Sequence, residues 1–151
     1  MKDFAKALSY SFLLLKYRAR SRHEIEQRLK RKKYIPSVIK KVSEYLEENK
    51  YLDDCDFAAS FTAAALEKGW GQKKIFFSLK KLGISQEFIE QALADKEPFK
   101  KKIEALIQQK INQCHGQQVE QKLLRFLVSK GFSYQDIMSA IEEAGLNKDD
   151  N

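Results

Sequence analysis

Carboxylates and a thiol crowd the segment YLDDCDFA, residues 51–58, where three aspartates and one cysteine lie between Asp53 and Asp56. Carboxylate oxygens and thiolate sulfur bind metals, and carboxylates also act as general acids and bases. Either use requires partners from elsewhere in the chain, and the sequence has no HExxH, GxxxxGKS, GxxxxGKT, DxDxDG or GxSxG motif. Asp53 is instead placed to cap a helix, with Asp56 three residues later in the capping-box position. The segment therefore predicts a helix start.

The remaining residues that could carry chemistry are scattered along the chain. Cys55 and Cys114 lie 59 positions apart without a CxxC spacing, so we expect reduced, mostly buried thiols and neither a zinc site nor a disulfide framework. We expect His23 in a basic first helical turn and His115 at a helix end. Because no nucleophile, base and orienting group come together, the sequence predicts a protein that is not an enzyme and that needs no metal or cofactor.

Positive charge is concentrated in the first third of the chain. Residues 1–52 carry 14 Lys and Arg against 6 Asp and Glu, a net charge of +8, whereas the whole chain carries +7. Such an excess attracts polyanions and acidic proteins over long range. Two interpretations stay open, a solvated helix face and a contact surface for nucleic acid or for an acidic protein groove. The candidate contact residues are Arg18, Arg20, Arg22, Arg28, Arg31, Lys32, Lys33, Lys40, Lys41, Lys73 and Lys74.

Residues 22–48 have the look of a helix-turn-helix, which would suggest sequence-specific DNA binding. The second helix of this pair carries Lys40 and Lys41 but then Glu44, Glu47 and Glu48. Because these acids would repel phosphates, a DNA-binding regulator is the less favoured alternative. A helical-repeat adaptor for a different protein partner is another.

The apolar residues recur at spacings of three and four, while Gly and Pro are scarce, so the sequence predicts an all-α fold. The first helix is expected to bury Phe4, Leu8, Phe12 and Leu15, and the third to bury Tyr45 with its aliphatic neighbours. The predicted helices are residues 3–17, 22–32, 36–48, 54–67, 72–82, 86–94, 98–114, 117–130 and 134–144.

These helices form three rounds of three. LKKLGISQEFIEQAL, from residue 79, aligns with LVSKGFSYQDIMSAI, from residue 127, at an offset of 48, and the first round aligns with the second at an offset of 50. A three-helix unit of this size buries its faces best by stacking on its neighbours. The sequence therefore predicts one domain, residues 1–151, of three tandem helix-turn-helix-like repeats at about 3–50, 53–95 and 98–146, stacked into an elongated, curved array.

Matched turn residues support the repeat. Glycine ends a helix at low cost because it adopts positive φ, and serine caps the helix that follows. In the first round Lys33 and Ile35 take the places of this glycine and serine, so we expect a different turn there. The predicted caps and turn residues are Ser21 with Glu24 in a capping box, Gly69, Gly71, Gly83, Ser85, Gly131 and Ser133.

The sequence also bears on location. No apolar run approaches the roughly 18 residues of a membrane span. The N-terminal residues lack a long apolar core followed by a small-residue cleavage site, so no secretory signal is predicted. We therefore expect a cytoplasmic protein.

Five segments together carry a family resemblance: RARSRHEIEQRL (18–29), KYLDDCDFA (50–58), KGWGQKKI (68–75), LKKLGIS (79–85) and QKLLRFLVSKGF (121–132). They resemble the RecX family, bacterial regulators of the RecA recombinase, and the resemblance runs from about residue 5 to 145. Two departures stand out. Lys50 lies where the family often has Gly, and Val119 lies where the earlier rounds have Ser21 and Gly71, so the middle helix of the third round is expected to begin near Gly116.

The resemblance implies three tandem three-helix repeats and a function without a catalytic centre. RecX proteins bind RecA and its filament on single-stranded DNA, lying in the filament groove. They limit filament growth or promote its loss, and so lower ATP hydrolysis, strand exchange and the coprotease activity that triggers the SOS response. The resemblance thus implies RecA and the filament as partners, with weak direct DNA binding as an addition, for a protein expected to be a monomer.

Overall fold

The computed structural model describes residues 2–113 and 118–146. This part of the chain is all-α, which confirms the predicted fold class. Predictions for Cys114, His115 and Gly116 fall outside the described residues. The helices, numbered along the chain, are α1 (Lys2–Tyr17), α2 (Arg22–Arg31), α3 (Pro36–Glu48), α4 (Asp54–Glu67), α5 (Gln72–Lys81), α6 (Gln86–Ala92), α7 (Glu97–Ile111), α8 (Val119–Ser129) and α9 (Tyr134–Glu143).

The packing of the chain divides it into two compact units. The first unit is Met1–Ser60 with Leu79–Ala92, and the second is Phe61–Ser78 with Leu93–Asn151. In the first unit α1, α2 and α3 pack against one another in pairs, and in the second α7, α8 and α9 do the same. The helices α4 and α5 each contribute residues to both units. The single-domain boundaries, the elongation and the curvature stay predictions.

The core of the first unit is centred on Ile25 and Leu29 of α2, which are fully buried together with Val42 and Leu46 of α3. Its third side is α1, which buries the small residues Ala7 and Ser11 together with Leu14 because small side chains let the helices approach closely. The four larger residues predicted for this face lie beside it and are half-buried: Phe4, Leu8, Phe12 and Leu15.

The predicted burial of Tyr45 was wrong, because its side chain is 39% exposed. The ring lies at the margin of the core and packs edge to face against Phe4, with the ring centroids 6.2 Å apart. A phenol at such a margin keeps its hydroxyl in water while the ring covers apolar surface.

The turns that end the first two middle helices have the same backbone. Gly83 has φ +79° and donates to the carbonyl of Lys80. Lys33 has φ +66° and donates to the carbonyl of Lys30, so the expected difference in backbone was wrong. The hydrogen bonds that close the helix stabilise a left-handed residue here even with a side chain. The sequence does differ at the next cap, since Ile35 makes no capping hydrogen bond.

Successive repeats meet at equivalent places. In the first unit the Ser21 hydroxyl, at the start of α2, donates to the carbonyl of Leu82 at the end of α5. In the second unit the Gly71 amide, at the start of α5, donates to the carbonyl of Lys130 at the end of α8, over 2.8 Å. The start of a middle helix therefore rests on the turn of the following repeat in both cases.

These junctions leave no room for side chains on the glycines. A Cβ built on Gly71 would lie 2.3 Å from the amide nitrogen of Phe132, and one on Gly83 would lie 2.2 Å from the Cβ of His23. Real Cβ atoms do not approach other atoms so closely. Gly71 thus allows backbone to pack on backbone, and Gly83 leaves room for the side chain of His23.

The acidic segment at residues 53–56 begins α4 and ties it to α2. The side chain of Asp53 accepts a hydrogen bond from the amide of Asp56 over 3.0 Å, as a helix cap does. Asp54 accepts one from the amide of Arg22 over 2.9 Å, at the first residue of α2. Burial raises the pKa of Asp54, although this hydrogen bond opposes the rise. The segment thus connects α2 to α4 within the first unit.

The helix α8 begins at Val119, later than either predicted start. The preceding residue, Gln118, has φ +71° in the left-handed region. A right-handed helix cannot run through such a residue, which is why α8 begins after Gln118.

Replacing Gly83 by alanine tests the steric requirement of the first junction. We expect Gly83→Ala to lower the free energy of unfolding by about 3 kcal/mol, because the methyl group meets His23 in a packed contact and strains a left-handed residue. The matched control is Gly145→Ala, which has φ +73° but nothing within 4 Å of its Cβ. We expect that control to cost only about 1 kcal/mol. Equal losses in urea denaturation would contradict the steric explanation.

Replacing Asp54 tests the joint between α2 and α4. Because burial raises the pKa of Asp54, the folded state binds this proton more tightly than the unfolded chain, and ionisation destabilises the fold as pH rises through the raised pKa. Asp54→Asn keeps an acceptor for the Arg22 amide without the charge. We expect its stability relative to the original protein to rise between pH 4 and pH 7 in urea denaturation, the range around and above the ordinary carboxyl pKa. Asp54→Ala, which loses the acceptor, should instead be less stable by about 1 kcal/mol. If the difference in free energy of unfolding between Asp54→Asn and the original protein did not change with pH, the destabilisation by the Asp54 charge would be refuted.

Candidate functional site

The two arginines before α2 pair with groups of the first unit. The guanidinium of Arg18 donates to both carboxylate oxygens of Glu24. The side chain of Arg20 is only 10% exposed, and its Nε donates to the carbonyl of Leu14 over 3.3 Å, near the end of α1. Burial, and next the neighbouring Arg18 charge, lower the pKa of Arg20. Arg20 thus satisfies a carbonyl at the end of α1.

The side chain of Arg22 is also engaged. Its Nε lies 2.8 Å from a carboxylate oxygen of Glu26, and a terminal guanidinium nitrogen lies 2.8 Å from a carboxylate oxygen of Glu47 on α3. The hydrogen bond with Glu26 is the largest of the effects that raise the pKa of Arg22. Three acidic side chains therefore offset the first three arginines of the predicted surface.

Uncompensated positive charge lies at the other end of α2. Among the described residues no salt bridge engages Arg28, Arg31, Lys32 or Lys33. Arg28 is half-buried and the other three are exposed, with the Lys32 ammonium 5.1 Å from the ring centre of Tyr10. Cations are favourable at a helix C-terminus because the helix dipole is negative there. We call these four residues the basic cluster.

The remaining candidate residues lie on other helices. Lys40 and Lys41 are exposed on α3, and the Lys40 ammonium lies 4.0 Å from a carboxylate oxygen of Glu44. Lys73 and Lys74 belong to the second unit. The Lys74 ammonium lies 4.3 Å from the ring centre of Trp70, which fixes the position of its charge without neutralising it.

Sequence reasoning missed a second aromatic site for cations in the second unit. The ammonium groups of Lys110 and Lys130 lie 4.4 Å and 5.6 Å from the ring centre of Phe126. The spacing of Phe126 and Lys130, four positions apart on α8 and its cap, was a signal that could have found one of these contacts. Lys110 comes from α7 and carried no such signal.

The structure gives no support to a metal site at the acidic segment. Within residues 2–113 and 118–146, no three His, Cys, Asp or Glu side chains are grouped so that they could hold a metal ion. Cys55 is exposed, contrary to the burial expected for it, because it lies on the outer side of the first turn of α4. Its Sγ lies 3.7 Å from the side-chain oxygen of Gln91. The helices of the described chain are too short or too polar to cross a membrane.

Comparison with known proteins connects this architecture to a family. The description "RecX, first three-helix domain" matches residues 7–46, and "RecX, second three-helix domain" matches residues 53–93. The regulatory protein RecX of Bacillus licheniformis is 34% identical, with 99% of this chain and 57% of that protein aligned. That of Clostridium botulinum strain Alaska E43 is 35% identical, with 80% of this chain and 60% of that protein aligned. The chain thus spans somewhat more than half the length of these relatives.

A solved structure shares the fold. The crystal structure of RecX from Lactobacillus salivarius matches with a TM-score of 0.86 and 24% identity, covering 96% of this chain and 98% of that one. At 24% identity this structural likeness shows the fold alone. The evidence from sequence is the match to the two three-helix domains and to the RecX relatives. Together they lead to one conclusion: the chain belongs to the RecX family of regulatory proteins.

Proposed function

We propose that this protein is a negative modulator of the RecA recombinase. It binds RecA and the RecA filament on single-stranded DNA, lies along the filament groove, and limits filament growth or promotes disassembly. Its binding thereby lowers ATP hydrolysis, strand exchange and the coprotease activity of the SOS response. It acts by binding alone, without a catalytic centre. The observation that carries this proposal is membership of a family of regulatory proteins named RecX, across nearly the whole chain.

The repeated architecture supports this mode of action. A helical filament presents the same surface at regular intervals, and linked repeats can contact several copies at once. Each contact can then be modest, since rigid linkage makes the later contacts intramolecular. The junctions at Ser21 and at Gly71 fix each middle helix against the next turn and so limit the freedom lost on binding.

The electrostatics indicate which part of the predicted surface contributes most. The charges of Arg18, Arg20 and Arg22 are offset by acidic neighbours, whereas the basic cluster at the end of α2 is not. The cluster therefore faces acidic filament surface or DNA phosphates, and weak direct DNA binding follows from the same charge. Lys73 and Lys74 offer a second basic contact.

The DNA-dependent ATPase of the cognate RecA tests the proposal directly. Increasing amounts of this protein should lower the steady-state rate, with a stronger effect when the protein is present while filaments grow than when it is added to complete filaments. The control is Gly83→Ala. Because this variant has a weakened junction, its inhibition of the ATPase should fall by the same fraction as its content of folded protein. A rate that is unchanged at excess protein would refute the proposal, and would favour an adaptor for a different partner.

Neutralising the basic cluster tests the electrostatic contribution. We expect replacement of Arg28, Arg31, Lys32 and Lys33 by glutamine to weaken filament binding about tenfold or more at low salt and to flatten its salt dependence, because fewer counterions are released. The matched control neutralises four exposed cations of the second unit, Lys96, Lys101, Lys122 and Arg125, and so changes the net charge equally. Filament co-sedimentation over a range of salt concentrations measures both. Equal effects of the two variants would show that only net charge matters.

A further inference from the structure

A groove of about 500 Å³ lies along α2 and the first two turns of α3 in the first unit. The half-buried side chains of Tyr34 and Ile39, with the exposed ring of Pro36, supply its apolar surface. The exposed Lys30 and Lys40 line it as well. Apolar surface combined with a few charged groups is typical of recognition grooves.

The groove has an excess of positive charge. Glu26 is the one acidic residue in its lining, and that carboxylate is bonded to Arg22, which also pairs with Glu47. The ammonium groups of Lys30 and Lys40 supply the excess charge. The contact of Lys40 with Glu44 offsets little of it, because the two exposed groups are 4.0 Å apart. The occupant that this charge favours is therefore acidic.

An exposed isoleucine lies in the chain between two lining residues of the groove, Tyr34 and Pro36. Ile35 is 58% exposed and precedes Pro36, at the cap position of α3. The equivalent residues of the other repeats, Ser85 and Ser133, accept hydrogen bonds from the amides of Phe88 and Asp136. A capping serine typically stabilises a helix by about 1 kcal/mol relative to an apolar residue. The first repeat thus lacks this stabilisation and exposes an apolar side chain instead.

We propose that the groove between α2 and α3, extended by Ile35, binds an acidic segment of a partner protein that carries apolar anchor side chains. The anchors pack on Ile35, Tyr34 and Ile39, and flanking carboxylates pair with Lys30 and Lys40. A nucleic acid fits less well, because its phosphates gain nothing from the apolar surface that Tyr34, Pro36 and Ile39 supply. The inference does not depend on RecA being the partner.

Ile35→Ser tests the apolar contact without endangering the fold. The probe is a short fluorescein-labelled peptide in which leucines are interspersed among glutamates, with binding followed by fluorescence anisotropy. We expect Ile35→Ser to bind this peptide about tenfold more weakly, because less apolar area is buried on binding. In urea denaturation the variant should be at least as stable as the original protein, because a cap is restored. The matched control is Val128→Ser, which removes a 49% exposed apolar residue of the second unit and should leave peptide affinity unchanged.

The double variant Lys30→Glu and Lys40→Glu tests the charge, with Lys101→Glu and Lys122→Glu as the control of equal net charge. We expect the first pair to abolish peptide binding and the control to reduce it less than about threefold, as distant exposed charges are screened by salt. A peptide of glutamates without leucine should bind at least about tenfold more weakly than the probe.

Four results would overturn the proposal. The first three are no binding of the probe at millimolar concentration, equal affinity of Ile35→Ser for the probe, and equal affinity of the original protein for the leucine-free peptide. The fourth is displacement of the probe by a single-stranded oligonucleotide at a lower concentration than by unlabelled peptide. Because the assay contains no RecA, these results are distinguishable from a failure of RecA inhibition.

Discussion

Close contact around the turn glycines is the constraint on which the junctions between repeats depend. At each junction the start of a middle helix rests on the turn of the next repeat, and the space for a Cβ is taken by the neighbouring chain. Protein interiors are packed densely enough that one additional methyl group is felt. A rigid junction of this kind fixes the position of the helix that follows. The surface carried by α2 is therefore displayed in a defined position within the first unit.

Charge compensation divides the predicted basic surface into two parts. The acidic partners of Arg18, Arg20 and Arg22 come from α2 itself and from α3, so these arginines connect elements of the first unit. The end of α2 keeps its positive charge because the described chain brings no carboxylate to it. A count of charges along the sequence cannot separate these parts, since compensation depends on which side chains meet.

The sequence predicted the elements well and the contacts between them poorly. The helix starts at Arg22, Pro36 and Asp54 follow from local chemistry, because a cap or a proline acts within one turn of its helix. The turn at Lys33 was mispredicted because closing hydrogen bonds can hold a residue with a side chain in a conformation that favours glycine. The contact of Asp54 with Arg22 joins residues 32 positions apart, and no local pattern encodes it.

Lys33 makes the first turn unlike the two later ones. The two later turns accept the start of a helix because Gly83 and Gly131 leave open the space that His23 and Lys74 occupy. The first turn has the same left-handed backbone, but its residue Lys33 has a Cβ and a long side chain where the later turns have glycine. A further repeat cannot dock on this turn in the way the others do. The exchange of one glycine for a lysine thus closes the first turn to the kind of helix contact that the two later turns make.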